Sequence, residues 1–238
     1  MNKFTPNIEG GGTGIYVVGK KQSGKTELVQ ALLVSNLKHY ARIIVYAPTK
    51  VFGYFDWLPR THPRSQINSE ATTEEILEIW NRQKDLAIEY KNRNRQIPKL
   101  LLVFDDYIDL DVDWKNSEIK SMVLNGRHYG GSFIFSNQDS NQGEKKIRGN
   151  MDYTIIKNVF RQEMDIIGTN MCPCDWDVSE FRKASHDWIQ QSKANSVMYD
   201  SSRLYKLTNN IRSKEIHIVG VLDKPPKRHC RTCTCLQK

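Results

Sequence analysis

The 238-residue sequence predicts an α/β fold with a mainly parallel central sheet flanked by helices. Three observations carry this reading. Short apolar segments alternate with segments of helical period through about residue 160. A glycine-containing turn, Gly19–Gly24, joins a short apolar strand to an amphipathic helix. Leu100–Phe104, the most apolar run of the chain, has no polar interruption, as befits a strand covered on both faces.

Gly14–Gly19 (GIYVVG) reads as a buried strand. From Lys25 the pairs Leu28/Leu32 and Val29/Leu33, with Leu37, keep the i, i+4 spacing of a helix. Ala41–Ala47 is a second strand, closed by Pro48. Residues 50–70 carry Phe52, Tyr54, Phe55 and Trp57 among Pro59 and Pro63, and yield only an aromatic loop or insertion. Thr72 and Glu75 have capping-box spacing ahead of a helix over 73–90 with Ile76, Ile79, Trp80, Gln83, Ala87 and Tyr90 on one face. Lys99–Asp106 (KLLLVFDD) is the next strand. A helix around Trp114–Leu124, a strand Ser132–Ser136, a basic turn Lys145–Arg148 and a strand Tyr153–Val159 follow. Helices near Glu163–Gly168 and Ser179–Trp188 precede strands Ser196–Tyr199 and Ile216–Leu222.

The charge balance, 35 basic against 27 acidic residues, gives +8 on a chain that is 39% hydrophobic and 26% charged. This composition excludes wholesale disorder and low-complexity architecture. The longest apolar run is far short of the ~20 residues of a membrane span. The N-terminus, Met1–Pro6, lacks the apolar core of a signal peptide. A soluble intracellular protein is expected. Basic residues cluster at 91–99 and 224–238 without an acid in either stretch, which is compatible with a polyanionic partner and equally with a solvated surface.

Gly19-Lys20-Lys21-Gln22-Ser23-Gly24-Lys25-Thr26 fits G-x-x-x-x-G-K-[ST] without mismatch. Glycines let successive N–H groups turn toward phosphate oxygens, Lys25 reaches the β- and γ-phosphates, and Thr26 offers its hydroxyl to Mg²⁺. The helix starting there adds its positive dipole end. The nucleotide-binding set is therefore Gly19, Lys21, Gln22, Ser23, Gly24, Lys25, Thr26 and Glu27, with ATP and Mg²⁺ as expected cofactors. The apolar strand at 100–104 ends in Asp105 and Asp106. In a P-loop NTPase the first acid, with Thr26, would hold Mg²⁺, and the second would orient or deprotonate an attacking water. Such ATPases place another strand between the phosphate-loop strand and the acidic strand. They also carry a γ-phosphate sensor at the tip of the next strand, where Gln138, and after it Asn137, is the candidate. Residues 1–165 would form the P-loop ATPase core and 166–223 the C-terminal part of the same domain, helical and then β-rich. Residues 224–238 would be a basic Cys-rich tail.

The series GKKQSGKT, LLLVFDD, LNGRHYGGSFIFSNQ and IRGNMDYTII, in this order, resembles the genome-packaging ATPases of nucleocytoplasmic large DNA viruses and virophages, members of the FtsK–HerA superfamily. The resemblance runs from about residue 14 to about residue 165. It implies a homo-oligomeric ring that hydrolyses ATP at subunit interfaces to drive double-stranded DNA into a capsid. Capsid vertex proteins would be partners, and the location the host cytoplasm (viral factory) and the virion. Within Asn125-Gly126-Arg127-His128-Tyr129, Arg127 would be the candidate arginine finger or trans-acting sensor, with a loop-ordering salt bridge as its alternative. DNA contacts would be mainly to phosphate, since a motor that moves any sequence cannot rely on base readout. Candidates are Arg93, Arg95, Lys145, Lys146 and Arg148.

Five cysteines fall in two groups, Cys172/Cys174 and Cys230/Cys233/Cys235 beside His229; zinc and a plain Cys-rich tail are both open. Asp109, Asp111 and Asp113 imitate a calcium loop, but Trp114 and Lys120 stand where Gly and Glu are needed. The alternatives to the packaging motor are a DNA translocase or helicase of replication or recombination, and a P-loop small-molecule kinase or switch.

Overall fold

The computed structural model describes residues 2–4, 12–138, 145–171, 176–200, 203–210 and 214–222. Its strands are β1 (Asn2–Lys3), β2 (Gly14–Val18), β3 (Arg42–Tyr46), β4 (Ser65–Asn68), β5 (Leu100–Phe104), β6 (Gly131–Asn137), β7 (Tyr153–Ile156), β8 (Asn195–Tyr199), β9 (Leu204–Asn210) and β10 (Glu215–Val221). The helices are α1 (Lys25–Asn36), α2 (Leu58–Thr61), α3 (Thr73–Asn92), α4 (Ser117–Asn125), α5 (Lys145–Arg148), α6 (Arg161–Met171) and α7 (Val178–Gln190).

All the strands join one sheet in the order β1-β10-β9-β8-β7-β2-β6-β5-β3-β4. From β7 to β4 every pairing is parallel, and β8, β9, β10 and β1 extend the β7 side by antiparallel pairing. The strand between the phosphate-loop strand β2 and the acidic strand β5 is β6. The strand that intervenes in sequence, β3, lies on the far side of β5.

Alternate residues of each central strand feed opposite faces, as the two-residue period of a strand requires. Tyr16, Ile44, Leu102, Phe104, Phe133 and Phe135 enter the core under α3, α4, α6 and α7. Ile15, Val17, Ile43, Val45, Leu101, Val103 and Ile134 enter the core under α1. Burial on both faces explains why these strands read as continuous apolar runs. Phe104 stacks between Tyr46 and Phe135, with ring centroids at 5.5 and 4.9 Å, and Trp114 closes the cluster edge-on. A buried aromatic side chain of this kind contributes roughly 2–3 kcal/mol, so this cluster firmly fixes where β5 ends.

The aromatic segment 50–70 is ordered into α2 and the parallel strand β4. Its short, polar run Ser65-Gln66-Ile67-Asn68 carries little strand signal. The C-terminal strand β9 was likewise not expected, although β8 and β10 were. Thr72 caps α3 by accepting from the Glu75 N–H at 3.2 Å, and Ile76, Trp80, Gln83 and Ala87 form the buried stripe. Among the described residues no helix is long and apolar enough to cross a membrane. Both cysteine groups and the tail 224–238 lie outside the described residues.

Candidate active site at the carboxyl edge of the sheet

Parallel strands deliver their C-terminal ends to one edge, and most of the candidate site residues gather there. β2 runs into the loop 19–24, which is pinned on both sides. The Gly19 N–H donates to the Asn137 carbonyl at 3.1 Å and the Lys20 N–H to the Asn158 carbonyl at 2.7 Å. Gln22 and Gly24 adopt left-handed conformations, with φ of 61° and 87°. Gly24 immediately precedes α1, so the loop bends into a concave row of N–H groups at a helix N-terminus. Gly19 admits no side chain: a Cβ there would lie 2.6 Å from Ser23 Oγ and 2.7 Å from Lys157 Cβ.

β5 and β6 are paired with Phe104 opposite Phe135, which sets Asp105 beside Ser136. The Ser136 hydroxyl donates to Asp105 Oδ1 and accepts from the Asp106 N–H at 2.9 Å. Thr26 Oγ1 donates to the other Asp105 oxygen at 3.1 Å. Asp105 is 1% exposed. Burial raises its pKa from 3.8 to about 6 against the opposing pull of the Ser136 hydrogen bond.

Asp106 takes φ 50°, a left-handed conformation that Asp tolerates better than most residues. That turn directs its carboxylate back over the loop. Oδ1 lies 3.8 Å from Lys25 Nζ, and Oδ2 accepts from Gln138 Nε2 at 3.3 Å. Lys25 Nζ also donates to the Lys20 carbonyl at 3.4 Å. Lys20, Lys21, Asp106, Asn137, Gln138 and Phe160 line a cavity of about 560 Å³ at this mouth.

The structure thus brings together Gly19, Ser23, Gly24, Lys25, Thr26, Asp105, Asp106 and Gln138. Asn137 contributes a carbonyl to the loop, while its side chain accepts from the Gln138 N–H at 2.8 Å. Lys21, Gln22 and Glu27 have exposed side chains, and of these Lys21 lines the cavity at the mouth. Ser136 was missed by sequence reasoning: its position at the end of an apolar strand was visible, but its register against Asp105 was not. Lys157 was missed as well.

Arg127 is not brought to this site. It precedes β6, so it sits at the opposite edge of the sheet, where its Cα lies 3.1 Å from a Cβ placed on Gly12. The length of β6, at roughly 3.3 Å per residue, separates it from its own phosphate loop by about 20 Å. Arg127 is exposed. Of the proposed DNA contacts, Arg93 pairs with Glu89 at 2.9 Å, and Arg95, Lys145 and Lys146 are exposed. Arg148 does not share that exposure: it is half-buried and its charge acts on the buried Tyr16.

Residues 13–180 match the family described as Poxvirus A32 protein. The chain belongs to that family. The match spans the phosphate loop, the acidic strand and β6. Protein L437 of Acanthamoeba polyphaga mimivirus is 26% identical over 148 residues, 60% of this chain and 51% of that protein. Protein 015R of Frog virus 3 (isolate Goorha) is 28% identical over 130 residues, 54% of this chain and 38% of that one. The chain therefore matches about half or less of the length of these relatives. Among solved structures, the genome packaging NTPase B204 of Sulfolobus turreted icosahedral virus 2, in complex with ATPγS, superposes with a TM-score of 0.55 at 15% identity. That superposition covers 90% of this chain and 97% of B204. The A32-family chain has the P-loop ATPase fold.

Proposed function

We propose that this A32-family chain is an ATP-hydrolysing motor that moves double-stranded DNA into a capsid, working as a ring of identical subunits. The observation that carries the reading is the convergence of the phosphate loop, buried Asp105 and the Asp106–Gln138 pair on one open mouth. Family membership and the B204 fold support the packaging assignment.

In this reading the N–H groups of Lys21, Gln22, Gly24, Lys25 and Thr26 cradle the phosphates, those of Gly19, Lys20 and Ser23 being bonded to carbonyls that shape the loop, and Lys25 leaves Asp106 to reach the β- and γ-phosphates. The donors at Thr26 and Asp105 fit Mg²⁺: both are hard oxygens, and a divalent cation would hold ionised a carboxylate that burial has raised to about 6. The ion, when bound, supplies charge neutralisation between phosphate oxygens. Ser136 fixes Asp105 by one hydrogen bond and the Asp106 backbone by another. Asp106 orients the water or takes its proton, and Gln138 holds Asp106 and senses the γ-phosphate. Arg127 is too far to act on its own loop and acts on a neighbour's. Exposed Arg95, Lys145 and Lys146 contact DNA phosphates. Capsid vertex proteins complete the assembly, in the host cytoplasm and in the virion.

The test is steady-state Mg-ATP hydrolysis at low salt, with and without long duplex DNA, for wild type and Lys25→Ala. Turnover raised several-fold by duplex DNA and lost in the variant is expected. Turnover indifferent to DNA overturns the motor assignment.

A further inference from the structure

A second lysine stands behind the phosphate loop. Lys157 follows β7 directly and is 1% exposed. Its stem packs against Gly19, and its Nζ lies 3.7 Å from a Cβ placed on Gly24. The ammonium donates to the Lys193 carbonyl at 2.7 Å, in the turn between α7 and β8, and reaches Asn209 Oδ1 of β9 at 3.5 Å. It is therefore buried between two neutral acceptors and the outer surface of the loop. Burying an ammonium whose two hydrogen-bond acceptors are neutral is costly, even with the Glu27 carboxylate nearby on α1.

We propose that Lys157 is a positioning residue of the nucleotide site, a second cation that sets the potential of the phosphate loop and ties the loop to the antiparallel C-terminal strands. This rests on the loop being a nucleotide site. Phosphates on the inner side of the loop would lie roughly two van der Waals contacts from the ammonium, about 7 Å. At an effective dielectric of ~20, one charge at that distance changes affinity by several tens-fold; solvent near the loop lowers this to about tenfold. Burial lowers the Lys157 pKa to about 8, with the Glu27 carboxylate on α1 pulling upward. The other charges around it are Lys20, Lys21 and Lys193, which rim an adjoining cavity of about 330 Å³. Bound phosphates favour the protonated ammonium, so binding takes up a proton near pH 8. Affinity then falls as pH rises through 8 toward 10, where the proton must be supplied or the charge forgone.

The experiment is calorimetric titration of Mg-ADP into the full chain between pH 7.5 and 9.5, for wild type, Lys157→Met and Asn209→Asp. Wild-type affinity is expected to decline across this range. Lys157→Met should bind about tenfold more weakly at pH 7.5, with the decline flattened. Asn209→Asp, which gives the ammonium a charged partner, should move the decline to higher pH, and it decides the matter alone if Lys157→Met does not fold. A flat wild-type profile, a Lys157→Met curve that superimposes on wild type, or an unmoved Asn209→Asp decline overturns the proposal. Absence of nucleotide binding by wild type at every pH would instead overturn the reading of the loop itself.

Discussion

Replacing Asp105 by Asn should stabilise the empty protein while removing its response to Mg-nucleotide. The carboxyl is 1% exposed and its pKa rises from 3.8 to about 6, with burial the leading cause. A shift of that size means that ionising Asp105 in the folded state costs on the order of 3 kcal/mol. The sign follows from proton counting: between pH 4 and 6 the folded chain holds more protons at this group than the unfolded chain, so its contribution to stability declines as pH rises. An amide is the same shape and keeps both hydrogen bonds, accepting from Ser136 and donating to the Thr26 oxygen. Halving the cost for local relaxation leaves ~1.5 kcal/mol, or roughly 3–6 °C in Tm for a domain of this size. The assay is thermal unfolding of wild type and Asp105→Asn in EDTA from pH 4 to 8. The advantage of the variant should grow from pH 4 to about 6 and then level off. Added Mg-ADP should stabilise wild type by mass action and the variant far less. A variant no more stable than wild type at pH 8, with a pH-independent difference, would show that Asp105 is not held in a destabilised ionised state.

Arg127→Ala should leave Tm nearly unchanged, since the side chain is exposed, while lowering hydrolysis by about 10³-fold, as for trans-acting arginines elsewhere. Mixing it with Lys25→Ala should restore part of the turnover, because some interfaces then pair an intact loop with an intact arginine; mixtures no more active than the separate variants would refute the trans role. Gly19→Ala should abolish Mg-ADP binding, because its Cβ would overlap Ser23 Oγ at 2.6 Å and Lys157 Cβ at 2.7 Å; nucleotide titration with wild-type affinity would show that the loop yields.

The parts of the site that could be read from the sequence are those whose chemistry is contiguous. The loop 19–26 is one local pattern, so its candidate residues can be named from their spacing along the chain alone. Asp105 and Asp106 were identifiable because a two-face-buried strand must be apolar and its end is marked by the first charge. Gln138 followed from its place at a strand tip. Ser136 and Lys157 were not identifiable, since a serine in an apolar strand and a lysine after one acquire meaning only from what lies across the sheet. β4 escaped for a related reason: its four residues are held by pairing with β3, and their own composition favours no strand.

The sequence by itself determined the fold class, the phosphate-loop pattern and the likeness to packaging ATPases, because turn geometry and strand burial are written in residues a few positions apart. Tertiary structure decided that β6, and not β3, separates β2 from β5. It also decided that Ser136 bridges the two aspartates and that Lys157 is buried behind the loop. It placed Arg127 at the edge remote from its own phosphate site. Each of these depends on parallel pairing between segments tens of residues apart, where register is set by the packing of whole faces against helices rather than by any local preference.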